Sequence, residues 1–142
     1  MSSETNPIKL HPRHRKPQGE TELVHGILRS LNCIEGVQAW RNNTGRVRDI
    51  RGIPVSFGLS IGSADIVGIV SCDYPRDGGG AVVGRFFALE VKVYGQRPSD
   101  SQERFLAVVR KMGGFAAWCT SIDEAKAALA RARDPKCSGA ER

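Results

Sequence analysis

The segment Leu89-Glu90-Val91-Lys92-Val93 places two opposite charges two residues apart in an otherwise apolar run. Side chains alternate along a strand, so Glu90 and Lys92 share one face while Leu89, Val91 and Val93 share the other. Either this is an exposed face carrying a solvated ion pair, or a carboxylate and an ammonium are held together for chemistry. A second acid, Asp65, opens the preceding apolar run in Gly62-Ser63-Ala64-Asp65-Ile66-Val67-Gly68. Paired as a meander, the two runs bring Asp65 beside Glu90. Carboxylates about 4 Å apart repel by a few kcal/mol even at an effective dielectric near 20, so such a pair calls for a proton or a cation. The alternative for Asp65 is a cap at a turn or strand end.

Two further residues belong with these. Glu20 precedes Leu23, Ile27 and Leu31 at helical spacing, which sets it on or next to their inward face, whereas Glu22 points away. Its alternative role is an acid in a first helical turn, favoured by the helix dipole. Gln102 ends Ser99-Asp100-Ser101-Gln102, a pattern that fits a capping box. It also leads the stripe Phe105, Leu106, Val109, and so faces whatever that helix covers. Capping and participation in the acidic cluster both remain open from the spacing alone.

The elements that must position these groups are legible from periodicity. Leu23, Val24, Ile27, Leu28 and Leu31 form the stripe of an amphipathic helix running from Glu20 to near Asn32. Short β-like runs follow at Val37 to Arg41, at Ala64 to Val70 and, more strongly, from Arg85 to Val93. Asp73 to Gly80, with its proline and glycines, reads as a long hairpin loop. Pro98 and Ser99 open a second helix that Gly113-Gly114 stops, a strand runs from Phe115 to Cys119, and Ser121 caps a third helix from Ile122 to about Arg133. The predicted order is α-β-β-β-α-β-α. Trp40 and Trp118, lying in strand-like runs, are expected in the core.

A chain of 142 residues, 40% hydrophobic and 25% charged, is the size of one globular domain. No run of roughly 18 apolar residues spans a bilayer and the first twenty residues lack a secretory apolar core, so no membrane and a cytoplasmic location are expected. Lys plus Arg number 21 against 15 acids, a net +6, the sign of a nucleic-acid binder or of a merely solvated cationic surface. The 4 cysteines contain no C-x-x-C pair, which argues for reduced, mostly buried thiols. Residues 1–19 carry Lys9, Arg13, Arg15 and Lys16 among prolines and form a flexible basic tail, 20–134 the folded domain, and 135–142 a second flexible tail. Arg41, Arg46, Arg48 and Arg51 cluster around the Asn42-Asn43-Thr44-Gly45 turn, where they and Asn43 are placed to hold phosphates; a loop of solvated arginines is the alternative.

Asp65 followed by Glu90-x-Lys92, on adjacent strands of this element order, resembles the PD-(D/E)XK nuclease superfamily. The closer resemblance is to its VRR-NUC, or virus-type replication-repair nuclease, family. It rests on Glu20, Trp40-Arg41-Asn42-Asn43-Thr44-Gly45, Gly62-Ser63-Ala64-Asp65-Ile66, Glu90-Val91-Lys92, Gln102 with Phe105, and Gly113-Gly114-Phe115, and covers roughly residues 20–125. The resemblance implies an α/β restriction-endonuclease-like core with a mixed central sheet flanked by helices. It implies a Mg²⁺-dependent phosphodiesterase, with Mn²⁺ as a substitute, acting on DNA. Asp65, Glu90, the Val91 backbone carbonyl and Glu20 would serve the metal, Lys92 and Gln102 the attacking water. Small stand-alone members are of phage or prophage type and act as homodimers, with branched or junction DNA as one substrate class. A DNA-binding protein that keeps the fold without turnover is the alternative.

Overall fold

The computed structural model describes residues 18–139. The expected basic tail therefore lies outside the described residues, apart from Gln18 and Gly19, which begin the first helix. The architecture is mixed α/β, with three helices on a mixed four-stranded sheet and a separate two-stranded hairpin. The elements run α1 (Gln18–Leu31), β1 (Val37–Arg41), β2 (Gly45–Arg48), β3 (Pro54–Phe57), β4 (Ile66–Tyr74), β5 (Ala81–Val91), α2 (Asp100–Lys111), β6 (Phe115–Cys119) and α3 (Ile122–Ala132). In the main sheet the order is β1-β4-β5-β6, antiparallel except for the parallel β5–β6 pair. That parallel pair is joined by α2, the crossover that parallel strands require.

Alternation within the strands assigns each residue to one of two faces. On one, Val24, Ile27 and Leu31 of α1 and Ala125, Ala128 and Leu129 of α3 pack on Ile66, Val70, Phe87, Leu89, Val91 and Phe115. The alanines of α3 let it lie close. On the other, Leu106 and Val109 of α2 cover Ala64, Ala88 and Ala116, with Val67, Phe105 and Trp118 at the margin. Each fully buried Leu, Ile or Phe contributes about 1.5–3 kcal/mol of burial. Gly68 is fixed by packing: the Phe87 ring of its cross-strand partner and the Gln38 carbonyl occupy the space a Cβ would take.

The helix ends follow the sequence. The Ser99 side chain accepts from the Gln102 amide and the Gln102 side chain accepts from the Ser99 amide, completing the capping box. Gly113, at φ 90, ends α2 with its N–H on the Arg110 carbonyl, a backbone conformation that favours glycine. Ser121 accepts from Glu124 N–H at 3.1 Å to begin α3.

Three expectations are corrected. The predicted order lacks a hairpin that follows β1, in which Gly45 to Arg48 pairs with Phe57 to Pro54. Two four-residue strands broken by Gly and Pro carry too short a period to register as strands. β4 and β5 extend to Tyr74 and Ala81, shortening the loop, because the backbone ladder continues past the last core side chain. Residues 135–139 lie on the domain: the Ser138 carbonyl accepts from Ala116 N–H at 3.0 Å and Cys137 packs against the core. They cap the outer edge of β6.

Candidate active site

The antiparallel ladder of β4 and β5 pairs Ile66 with Leu89, and β1 pairs Arg41 with Ile66. One step beyond, the same register sets Asn42, Asp65 and Glu90 in a row across three strands, with Trp118 of β6 paired to Glu90. Two bonds close the end of the ladder. Asn42 N–H donates to the Asp65 carbonyl at 2.8 Å, and Val91 N–H donates to Asp65 Oδ2 at 2.9 Å. Directly opposite residues share a face, so Asp65 and Glu90 project together on the side covered by α2, and Lys92 follows Glu90 on it.

Burial gives this row its character. Glu90 is 0% exposed, and Asp65, Lys92 and Glu20 are also buried. Lys92 Nζ stands 2.6 Å from Glu90 Oε1, and Gln102 Nε2 donates to the same oxygen. Removing two ions from water costs several kcal/mol each, and a packed apolar pair of similar volume is often at least as stable. A buried pair of this kind is therefore poor stabilisation and a good candidate for function. Gln102 resolves its double reading by doing both jobs: Oε1 accepts from Ser99 N–H at 2.8 Å while Nε2 reaches Glu90.

Glu20, not Glu22, is the buried acid of α1. The helix runs antiparallel to β1: Asn32 bonds the Ala39 carbonyl at one end, and Arg41 Nη1 donates to His25 Nε2 at 2.7 Å towards the other. Glu20 lies further along in that second direction, at the end of the sheet where Asp65 and Glu90 stand, but α1 covers the opposite face. Among the described residues no three His, Cys, Asp or Glu side chains form a ready-made metal cage. The donors present are all oxygen, two carboxylates in one row and a third acid at the same end. That set fits Mg²⁺, which takes one or two carboxylates and completes its shell with water and phosphate oxygens.

The arginines divide. Arg46 and Arg48 are exposed and share one face of the hairpin, Arg48 also donating to the Gly52 carbonyl at 2.7 Å. Arg51 pairs with Asp49 at 3.0 Å in the hairpin turn, and Arg41 is turned towards α1. The bond from the Ile53 amide holds the Asp49 carboxyl below its usual range against the opposing effect of desolvation, with Arg51 adding to the lowering. Asn43 is exposed beside the hairpin.

Asn42, rather than Asn43, does the structural work there. Its amide donates to Ser63 Oγ and to the Ala64 carbonyl, both at 2.8 Å, tying the end of β1 to the segment that presents Asp65. Nothing in the sequence separates the two asparagines except their place relative to the strand end. Trp40 also departs from expectation: Trp118 packs at the margin of the α2 core, but Trp40 is half exposed because α2 does not extend over β1. Comparisons with protein-family models, with curated proteins and with solved structures return no match to this chain.

Proposed function

We propose that the chain is a Mg²⁺-dependent DNA endonuclease with a PD-(D/E)XK core of VRR-NUC type. The observation that carries this reading is the buried Glu90–Lys92 pair bonded by Gln102, with Asp65 opposite Glu90 at the end of the same ladder. Asp65, Glu90, the Val91 carbonyl and Glu20 are the oxygens that would serve the metal. When bound, Mg²⁺ supplies charge to the phosphate oxygens and lowers the pKa of the attacking water.

Lys92 orients that water and stabilises the charge that develops as its oxygen bonds phosphorus and the ester P–O bond breaks, the departing oxygen taking up a proton. Gln102 holds Glu90, and through it Lys92, in a single arrangement. Arg46, Arg48 and Asn43 contact phosphates from the hairpin, with Arg41 and Arg51 committed to protein partners until DNA arrives. Action as a homodimer, on branched or junction DNA, in the cytoplasm of a phage-infected or prophage-bearing host, completes the proposal. No helix among the described residues is long and apolar enough to cross a membrane.

A second reading has its own support. The Lys92 ammonium already neutralises Glu90 at 2.6 Å, which suits a DNA-binding protein that keeps the fold without turnover. Labelled linear, flapped, single-stranded and four-way DNA, incubated with and without Mg²⁺, separates the two. Mg²⁺-dependent products that vanish in Glu90→Ala and Lys92→Ala proteins support the nuclease. Tight metal-independent binding with no cleavage by wild type in Mg²⁺ or Mn²⁺ supports the other, and full cleavage by either variant overturns the nuclease reading.

A further inference from the structure

We infer that Trp40 is a stacking platform for an unpaired nucleobase next to the phosphate held at Asp65 and Glu90, so that the substrate strand is single or splayed open where it is cut. This rests on the nuclease reading and names its substrate class. Trp40 pairs with Val67, and Val67 with Ala88, one alternation step back from Asp65 and Glu90 and on their face of the sheet. Two residues along a strand span about 6.6 Å, so the indole and the acids are neighbours on one surface. The α2 helix shields Val67, Ala88 and Ala116 but leaves Trp40 49% exposed. Ile69 and Phe86, paired with one another, continue the open apolar floor at 45% and 42% exposure.

An apolar floor beside acids that would hold a divalent cation suits a flat, uncharged group attached to an anionic one, and a nucleotide outside a duplex has that form. Its phosphate would meet the cation on those acids and the hairpin arginines, while its base loses water against the indole. A paired base inside a duplex presents no free face to the ring. The net charge of +6, and the hairpin with Arg46 and Arg48 that leaves β1 directly after Asn42, favour a polyanion.

The test uses a fluorescein-labelled twenty-nucleotide oligothymidylate and a duplex of equal length, with protein in EDTA so that binding is read apart from cleavage. Trp40→Ala should weaken binding to the single strand roughly ten- to a hundredfold and binding to the duplex by less than about twofold. Trp40→Phe should restore most of the loss, since a phenyl ring also stacks, and intrinsic tryptophan fluorescence of wild type should be quenched by the oligonucleotide. An unchanged single-strand affinity in folded Trp40→Ala protein, an equal loss on both DNAs, or conversion of a dimer to a monomer by that substitution overturns the inference. Wild type that binds through Trp40 yet never cleaves with Mg²⁺ instead removes the nuclease reading and leaves the base-binding surface standing.

Discussion

Gln102 donates from Nε2 to the buried Oε1 of Glu90 while its own Oε1 accepts the Ser99 amide, so one side chain joins the start of α2 to the charged end of β5. The two bonds can be separated. Gln102→Glu keeps an acceptor for the Ser99 amide but sets a carboxylate against Glu90, and should reduce cleavage at neutral pH while α2 stays capped. Gln102→Ala loses both bonds and should also cost about 1 kcal/mol in denaturant unfolding. Equal cleavage by Gln102→Glu and wild type would confine Gln102 to capping.

Lys92→Met leaves the Glu90 carboxylate buried without the ammonium at its Oε1, and should destabilise the fold by about 3–5 kcal/mol. Adding Glu90→Gln removes the charge that caused the cost, so the double variant should recover part of that stability while remaining inactive. Urea midpoints and cleavage rates on the three proteins test this. A double variant no more stable than Lys92→Met would show that the pair is not coupled.

Arg46 and Arg48, exposed on one hairpin face, are the arginines best placed for sequence-independent attraction. Arg46→Ala with Arg48→Ala should flatten the plot of log affinity for duplex DNA against log salt by about 2 and weaken binding without altering the cleavage chemistry. An unchanged slope would move the DNA contact elsewhere.

Burial raises the Cys72 thiol above its ordinary value, with Arg85 and Arg133 opposing the effect. Its Sγ also lies 3.4 Å from the Ala132 carbonyl. A raised folded value means that stability is full below the ordinary thiol range and falls as pH rises through and above it. Exposed Cys33 should be alkylated first at neutral pH, and Cys72 only on unfolding, as mass spectrometry of partly modified protein would show. Early modification of Cys72 in native protein would contradict its burial.

At the hairpin turn the sign is opposite. Asp49 has a lowered folded value, so its contribution is present above the usual carboxylate range and disappears as pH falls through the folded value. Asp49→Asn should loosen the turn at neutral pH, seen as broadened or shifted amide resonances at Arg51 and Ile53, and should erase the acid-dependent change that wild type shows there.

Much of this arrangement is legible before folding because each signal is local. The apolar stripe of α1, the capping serines 99 and 121 and the glycines after α2 give element order, and strand alternation puts Glu90 and Lys92 on one face. Pairing supplies what alternation cannot. The register that faces Asp65 with Glu90 and the choice of Asn42 over Asn43 as the tether depend on which strands pair and where β1 ends, and the bare surface around Trp40 on how far α2 reaches. Trp40 sits at an alternating position of an apolar strand whether or not a helix covers it. The hairpin is not legible in the sequence because its strands are short and pair within the same thirteen residues, where arginine and glycine suggest a loop.

The β2–β3 hairpin stands outside the ladder that carries the acid row, and two strands alone are marginal in water. Its amides should exchange with deuterium well before those of β4 and β5, whose central pairing opens only with the whole domain. Warming or mild denaturant would therefore loosen the hairpin arginines before it disturbs the carboxylates, so a nuclease of the proposed kind would lose hold of DNA at temperatures where its acid row is still assembled.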